Sequence, residues 1–533
     1  MTSTPFASLA GKRIVILGLA RQGTALARFF LREGAQVTIS DVAPADQLSA
    51  PLTELAGQPV RLVLGGHPPE LLKNCDLLCL SGGVPPQIPL VAAARRQGIP
   101  LSNDALLTLQ RSPAPAIGIT GSSGKTTTTT LVGLMLQAEN DEGGMMNDEG
   151  GQAAQRGEDA AAALSDSSFI LHPSSFPHAW VGGNIGTPLI DQLQQVQPGD
   201  WLVLELSSFQ LELFDGASFG PPVSPAVAAV LNVTPNHLDR HPSMAHYAAA
   251  KANVLRWQGV KRETWGVTGA GRAEDVAVLG ADDAVTGGWL RGGRVEIAAE
   301  TGQEALSFPL ANRRLGFGLG EPVGDGCWLA GDGWLTLRLD GREQRVLPAH
   351  AVQLRGRHNL LNLAAACAIS AAAGVQPAAM AAVAETFTGV EHRLELVRAL
   401  HGVYWYNDSI ATAPERAAAA LLSFDEPIVL LAGGRDKKLP WQEFARLARQ
   451  RARVLILFGE AADLIAQAVA SQPGPGNELI LLRCADLPAA VAAAAQAARP
   501  GEVVLLAPGG TSFDAYKDFA ARGEHFRALV NEL

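Results

Sequence analysis

Cysteine is scarce in this chain. Its 533 residues hold five, Cys75, Cys79, Cys327, Cys367 and Cys484. The count is odd, the positions are scattered, and no two-pair zinc spacing occurs, so the five read as reduced thiols of a cytoplasmic protein. Long apolar runs are missing too. No stretch approaches the ~18 apolar residues that a membrane span needs. The first apolar run, Ile14 to Leu17, is strand-sized and followed by Gly18, which is not a signal-peptide pattern. Positive charge is in deficit: 42 Lys and Arg stand against 52 Asp and Glu, a formal net charge of -10. That balance argues against nucleic acid or an anionic membrane as the main partner, while leaving room for local basic phosphate sites.

What is present is globular, with 47% hydrophobic and 18% charged residues. The length exceeds what one hydrophobic core organises, so about three domains are expected. Arg13 to Leu17 reads as a buried strand, followed by Gly18-Leu19-Ala20-Arg21-Gln22-Gly23, an apolar helix to Glu33, and a second strand, Gln36 to Ser40, ending at Asp41. This is a β-α-β unit with a Gly-rich first turn. The spacing is not G-x-G-x-x-G, which disfavours a dinucleotide oxidoreductase but keeps a phosphate or nucleotide group near the turn plausible. Asp41 has two readings, acceptor for a ribose or base, or cap of the turn. Asp76 to Leu80 forms a further strand, and Pro-rich Ser112-Pro113-Ala114-Pro115 reads as a linker.

Residues 140 to 178 have little patterned hydrophobicity. Asn140-Asp141-Glu142-Gly143-Gly144 returns seven residues later as Asn147-Asp148-Glu149-Gly150-Gly151. The segment reads as a low-complexity insertion forming a surface loop. Beyond it, strands and helices alternate. Val403 to Tyr406, Ile428 to Ala432, Val454 to Phe458 and Val503 to Leu506 outline a further wound α/β unit.

The strongest chemical signal is Ile117-Gly118-Ile119-Thr120-Gly121-Ser122-Ser123-Gly124-Lys125-Thr126-Thr127, an apolar strand running into a helix-like Thr128 to Gln137. Glycines let backbone N–H groups wrap a phosphate chain, and a helix N-terminus adds positive potential. Lys125 can reach the outer phosphates, and the Thr126 hydroxyl suits Mg²⁺. The loop departs from strict G-x-x-x-x-G-K-[ST], because Ile119 stands where the first Gly belongs. Glu205 ends the apolar strand Val203-Leu204-Glu205 and opens Leu206-Ser207-Ser208-Phe209-Gln210; it is a Mg²⁺-ligand candidate beside a phosphate loop and an ordinary surface Glu without one. Asn232-Val233-Thr234-Pro235-Asn236-His237-Leu238-Asp239-Arg240-His241 follows another apolar strand, Ala226 to Leu231, at the kind of strand end where open α/β sheets bind ligands. His237 is either a metal ligand or a structural His. Lys251, alone, would pass for a solvated lysine.

This set, with Gly183-Asn184-Ile185-Gly186, Gly356-Arg357-His358-Asn359, His392-Arg393, Asn407-Asp408-Ser409 and Pro508-Gly509-Gly510-Thr511-Ser512-Phe513-Asp514, resembles the Mur ligase family over the whole chain except the insertion. Its most specific marker is Ser512 to Gly523. The resemblance implies three α/β domains: 1–112, Rossmann-like and UDP-substrate-binding; 113–388, ATP-binding with a P-loop and a parallel-rich sheet; 389–533, Rossmann-like and glutamate-binding. It implies an ADP-forming carboxylate–amine ligase, a monomer acting on UDP-N-acetylmuramoyl-L-alanine and D-glutamate through an acyl phosphate in peptidoglycan precursor synthesis.

Residue by residue, it assigns Leu19, Ala20, Arg21, Asp41, Asn184, Ser207 and Gln210 to the UDP substrate. Gly121, Ser122, Ser123, Gly124, Lys125, Thr126, Thr127, Arg393 and Asp408 go to ATP. Two Mg²⁺ ions fall to Thr126, Glu205, His237 and Lys251, the last resembling a lysine that is carbamylated in this family. Thr412, Lys437, Ser512 and Phe519 surround glutamate, and closure of the third domain would complete the site. Lys125, His237 and Lys251 are the catalytic candidates. Two positions depart from the pattern: Ile410 stands where many relatives carry Lys, and Gly280 where they often carry an adenine-contacting Asn. L-glutamate or another amino acid is the alternative acceptor. A folate-type ligase would not need the N-terminal β-α-β domain, and a non-catalytic protein would bind ATP without turnover.

Overall fold

The structure is a computed structural model that describes residues 8–145, 178–235, 240–259, 275–300, 303–354, 356–472 and 479–533. Most of the low-complexity segment, and with it the surface-loop reading, lies outside these residues. Its first residues do not: the helix that follows the phosphate loop runs Lys125–Met145, eight residues past its expected end at Gln137. The chain divides into two compact units, Met1–Ala351 with Leu361–Glu385, and Val352–Leu360 with Thr386–Leu533.

The first unit holds two main sheets. One comprises β1 (Arg13–Leu17), β2 (Gln36–Asp41), β3 (Val60–Leu64), β4 (Leu77–Leu80) and β5 (Leu101–Ser102), in the order β3-β2-β1-β4-β5 with every pair parallel. This is the Rossmann-like winding expected of a β-α-β start. The strand order reverses between β1 and β4, so a crevice opens at their carboxyl ends. Ile14, Ile16, Leu17, Leu77 and Leu78 are almost wholly buried, as strands covered on both faces must be.

The larger sheet runs β16-β15-β14-β13-β10-β9-β6-β8-β7. Its members are β6 (Ala116–Thr120), β7 (Ala179–Gly183), β8 (Trp201–Glu205), β9 (Val227–Val230), β10 (Val276–Gly280), β13 (Arg313–Gly318), β14 (Gly326–Leu329), β15 (Trp334–Leu339) and β16 (Arg342–Pro348); β11 (Arg294–Ile297) and β12 (Leu306–Pro309) form a separate hairpin. Pairing is parallel from β7 to β14 and antiparallel from β14 to β16. One apolar core joins both sheets: Leu17 and Leu80 from the first pack in the same cluster as Leu202, Leu204 and Val230 from the second.

The second unit is built on β17 (Glu395–Leu400), β18 (Val403–Asn407), β19 (Ile428–Gly433), β20 (Ala452–Phe458), β21 (Ile480–Arg483) and β22 (Val503–Gly509), ordered β17-β18-β22-β19-β20-β21. Only β17 is antiparallel to its neighbour. The four expected strands are all present. The edge strands β17 and β21 were not singled out in the sequence, because half-exposed edges lack the continuous apolar run of a central strand.

Candidate functional site

The central sheet places β6 between β8 and β9, so three loops meet at its carboxyl edge. The phosphate loop leaves β6 at Gly121. Gly124 has φ +80, the left-handed region that favours glycine, and a Cβ there would lie 2.2 Å from Asn362 Oδ1 and push that side chain aside. The loop after β9 pins it: Ser122 N–H donates to Asn232 O (3.1 Å), Ser123 N–H to Asn232 Oδ1 (2.9 Å), and Ser122 Oγ to Thr234 O (2.9 Å). Tyr247 OH donates to Ser122 Oγ at 3.2 Å.

β8 delivers Glu205, 2% exposed, beside the loop. Its Oε2 accepts from Thr126 Oγ1 at 2.8 Å and its Oε1 from Asn184 Nδ2 at 3.1 Å. Asn184 is set by Gly183, whose φ is +98 and whose Cβ would meet Glu205 O at 2.4 Å. Two hard oxygens, the Thr126 hydroxyl and the Glu205 carboxylate, thus converge at the loop's helix end, a donor set that fits Mg²⁺. Lys125 Nζ and Lys251 Nζ donate to the same carbonyl, Gly121 O, at 2.8 and 2.9 Å. Lys251 is 1% exposed, with its ammonium 4.5 Å from the Tyr247 ring centroid. Burial, then the neighbouring charge of Lys125, push its pKa well below the usual lysine range against the pull of Glu205.

The other expected residues fall as follows. His237 lies outside the described residues. Leu19 has its side chain in the core and presents only backbone, with its N–H donating to Asp41 Oδ2 at 2.6 Å. Asp41 Oδ1 accepts from Ala43 N–H at 2.8 Å, so the carboxylate caps both turns at the crevice. Ala20 is exposed, and Arg21 reaches from the first sheet to Gly186 O (2.8 Å) in the loop that carries Asn184. Ser207 and Gln210 form a capping box on a short helix, and Gln210 Nε2 also donates to Asp104 Oδ1 at 3.2 Å. Gly280 has a physical reason to be glycine: a Cβ there would lie 2.3 Å from Leu231 O, backbone of the neighbouring strand end, so Asn does not fit without a shift.

In the second unit, Asp408 follows β18 and is buried. Desolvation pushes its carboxyl up to about 7, against the Leu394 N–H and the Arg393 and Arg416 charges. Lys437 Nζ donates to Thr412 Oγ1 at 3.2 Å, while Ser512 is buried beyond β22. Phe519 O accepts from Ser409 Oγ at 2.8 Å. The organiser of this cluster is Arg522, which received no role from the sequence. It is 1% exposed, and it donates to Ser409 Oγ (3.0 Å), Ser409 O (2.9 Å) and Gly510 O (3.2 Å). Its signal was present in the Ser512 to Gly523 marker, but an arginine in a helix reads as solvated until its burial is known. Asn232, in the motif that follows Leu231, and Tyr247, one helical turn before Lys251, fix this loop and likewise received no role from the sequence.

A parallel-rich sheet with a glycine-turned loop, a buried carboxylate and two lysines at one strand end defines an α/β protein whose strand-end donors fit a phosphate chain and a hard cation. Comparison with known proteins narrows the class. Sequence profiles described as "Mur ligase MurD-like, N-terminal domain", "Mur ligase middle domain" and "Mur ligase, glutamate ligase domain" match residues 12–103, 119–286 and 392–510. The chain belongs to the Mur ligase family. It is similar to the UDP-N-acetylmuramoylalanine--D-glutamate ligases of Symbiobacterium thermophilum, at 38% identity over 98% of both chains, and of Geobacter metallireducens, at 36% over 98% of both. Among solved structures, the UDP-N-acetylmuramate-alanine ligase of Thermotoga maritima shares the fold, with TM-score 0.50, 17% identity and coverage of 98% and 99%. No helix among the described residues is long and apolar enough to cross a membrane.

Proposed function

We propose that this chain joins D-glutamate to the L-alanine carboxylate of UDP-N-acetylmuramoyl-L-alanine, with ATP converted to ADP and phosphate. The observation that carries the reading is the meeting of Lys125, Thr126, Glu205 and Lys251 at one strand end, in a chain similar over its length to D-glutamate ligases. A carboxylate is a poor acyl donor. Its oxygen attacks the γ-phosphorus of ATP, ADP leaves, and an acyl phosphate forms; the glutamate amine then attacks the acyl carbon, expelling phosphate and losing a proton.

In this reading the amides from Gly121 to Thr127 cradle the phosphates, and Lys125 offsets charge gathering on the transferred group. Thr126, Glu205 and His237, with Lys251 as a carbamate, are the residues that would hold Mg²⁺, which when bound neutralises charge on the phosphate chain. The depressed pKa of Lys251 favours that modification: a neutral amine adds CO₂, releases a proton and becomes an oxygen donor. Leu19, Ala20, Arg21, Asp41, Asn184, Ser207 and Gln210 serve the UDP substrate; Arg393 and Asp408 serve ATP; Thr412, Lys437, Ser512 and Phe519 serve glutamate. Phosphate release by the purified chain, supplied with UDP-N-acetylmuramoyl-L-alanine and ATP, should depend on D-glutamate and vanish in Lys125→Ala. Release driven by L-glutamate instead would reassign the acceptor, and ATP binding without release would end the ligase reading.

A further inference from the structure

Away from the phosphate loop, three side chains from separate segments come together. Glu212 follows the Ser207 capping box, His241 lies beyond β9, and His246 sits on the helix Met244–Ala252. His241 Nδ1 is 3.0 Å from His246 Nδ1 and 3.4 Å from Glu212 Oε1, and one ligand atom of each residue lies within 4.8 Å of the others. A cation held by imidazole nitrogen and carboxylate oxygen at about 2.0–2.1 Å in tetrahedral geometry separates its ligand atoms by about 3.3 Å. The two measured separations bracket that value.

We propose that Glu212, His241 and His246 form a binding site for zinc or a similar borderline divalent metal, distinct from the Mg²⁺ residues of the phosphate loop. Three further observations support it. Glu212 Oε1 is buried yet accepts no hydrogen bond among the described residues. A proton shared between the two imidazoles would satisfy both Nδ1 atoms but leave that oxygen bare; a cation satisfies all three. His241 is also oriented as a ligand should be. Its other nitrogen, Nε2, is 2.9 Å from Ser208 Oγ, which accepts the N–H that metal binding at Nδ1 requires there. The ring is stacked on Phe209 at 5.4 Å and packed by Tyr247 at 5.0 Å. Two histidines and one carboxylate suit zinc rather than magnesium, and three protein ligands leave a fourth position for water.

The place of these ligands in the chain gives the site its consequence. Glu212 stands seven residues after Glu205, His241 four after His237, and His246 five before Lys251. A metal bound by all three ties together the segments that bear the proposed Mg²⁺ ligands, as a positioning device and not as a participant in phosphoryl transfer.

Cobalt and zinc binding to the chelator-treated full chain, in excess magnesium, tests this. One equivalent of cobalt should be retained, show the visible absorption of low-coordinate cobalt, and be displaced by zinc. Glu212→Gln and His246→Gln should each abolish retention, Ser208→Ala should weaken affinity by about 10–100-fold, and Glu524→Gln, in a separate acidic cluster with His392, should retain the ion. Anomalous diffraction at the zinc edge from the unmutated chain locates the ion whether or not the variants fold. A peak among the three residues supports the site. No retained metal, retention unaffected by both ligand variants, or a peak elsewhere overturns it.

Discussion

Lys125 and Lys251 point their ammonium groups at one acceptor, Gly121 O, at 2.8 and 2.9 Å. Two full positive charges that close, one of them fully buried, repel strongly in a low-dielectric site. The arrangement is relieved if Lys251 is neutral or carries a negative group. The carbamate proposed for Lys251 has a direct test: chain incubated with ¹³C-bicarbonate should show a carbamate carbon resonance that Lys251→Met lacks. Ligation should fall when CO₂ is stripped and recover when bicarbonate is restored. An unmodified Lys251 in fully active enzyme would refute it.

Thr126 and Glu205 make the second test. The Thr126 hydroxyl donates to the Glu205 carboxylate at 2.8 Å across adjacent strand ends. Glu205→Gln keeps the side chain's size and one acceptor oxygen, so the fold should survive while a metal-binding charge is lost. Turnover is expected to fall by about 10²–10³-fold, the usual cost of removing one group that stabilises developing charge. The magnesium needed for half-maximal rate should rise with it. A magnesium dependence identical to that of the parent would remove Glu205 from the metal site.

Much of this centre was legible in the sequence because it is local. Gly121 to Thr127 is a contiguous loop, and Glu205 and Asn232 each follow an apolar strand, so the sheet's parallel winding brings them together. What was not legible depends on burial or distant pairing. Gly280 read as a departure until the approach of Leu231 O gave it a cause. Arg522 lay inside the Ser512 to Gly523 marker without a role, because only its burial inside the second unit shows what its guanidinium does. The convergence of Glu212, His241 and His246 has no fixed spacing, so no motif announces it. The antiparallel extension β14-β15-β16 depends on hairpin pairing that alternation alone does not place on a given sheet.

Asp104 supplies a pH test. It is buried in the first unit, accepts from Gln210 Nε2, and burial pushes its carboxyl up to about 6 from an ordinary 3.8. Between those values the unfolded chain ionises while the folded one keeps its proton, so stability is lost as pH rises through the window. The full effect is at most roughly 3 kcal/mol. Asp104→Asn cannot ionise and escapes the loss. Its melting temperature should therefore rise relative to the parent's between pH 4 and about 6, then stay parallel. A constant difference across that range would show that Asp104 ionises equally in both states.

Arg522 offers the sharpest test of the second unit. Its guanidinium binds Ser409 Oγ, Ser409 O and Gly510 O, holding the segment after β18 against the segment after β22. Burial lowers its pKa to about 10, so it stays charged at neutral pH. Arg522→Met preserves length and apolar stem but leaves two backbone carbonyls and a hydroxyl without their donor. Each buried unsatisfied group costs about 1–3 kcal/mol, so a loss of roughly 2–4 kcal/mol is expected after partial relaxation. Because Thr412 follows the first segment and Ser512 the second, the KM for glutamate should rise more than the KM for ATP. Arg522→Lys, with one compact ammonium for a planar fork, should fall between parent and Met variant. Equal rises in both KM values would mean that Arg522 supports the unit as a whole, and unchanged stability would mean that its hydrogen bonds to these three acceptors contribute nothing net.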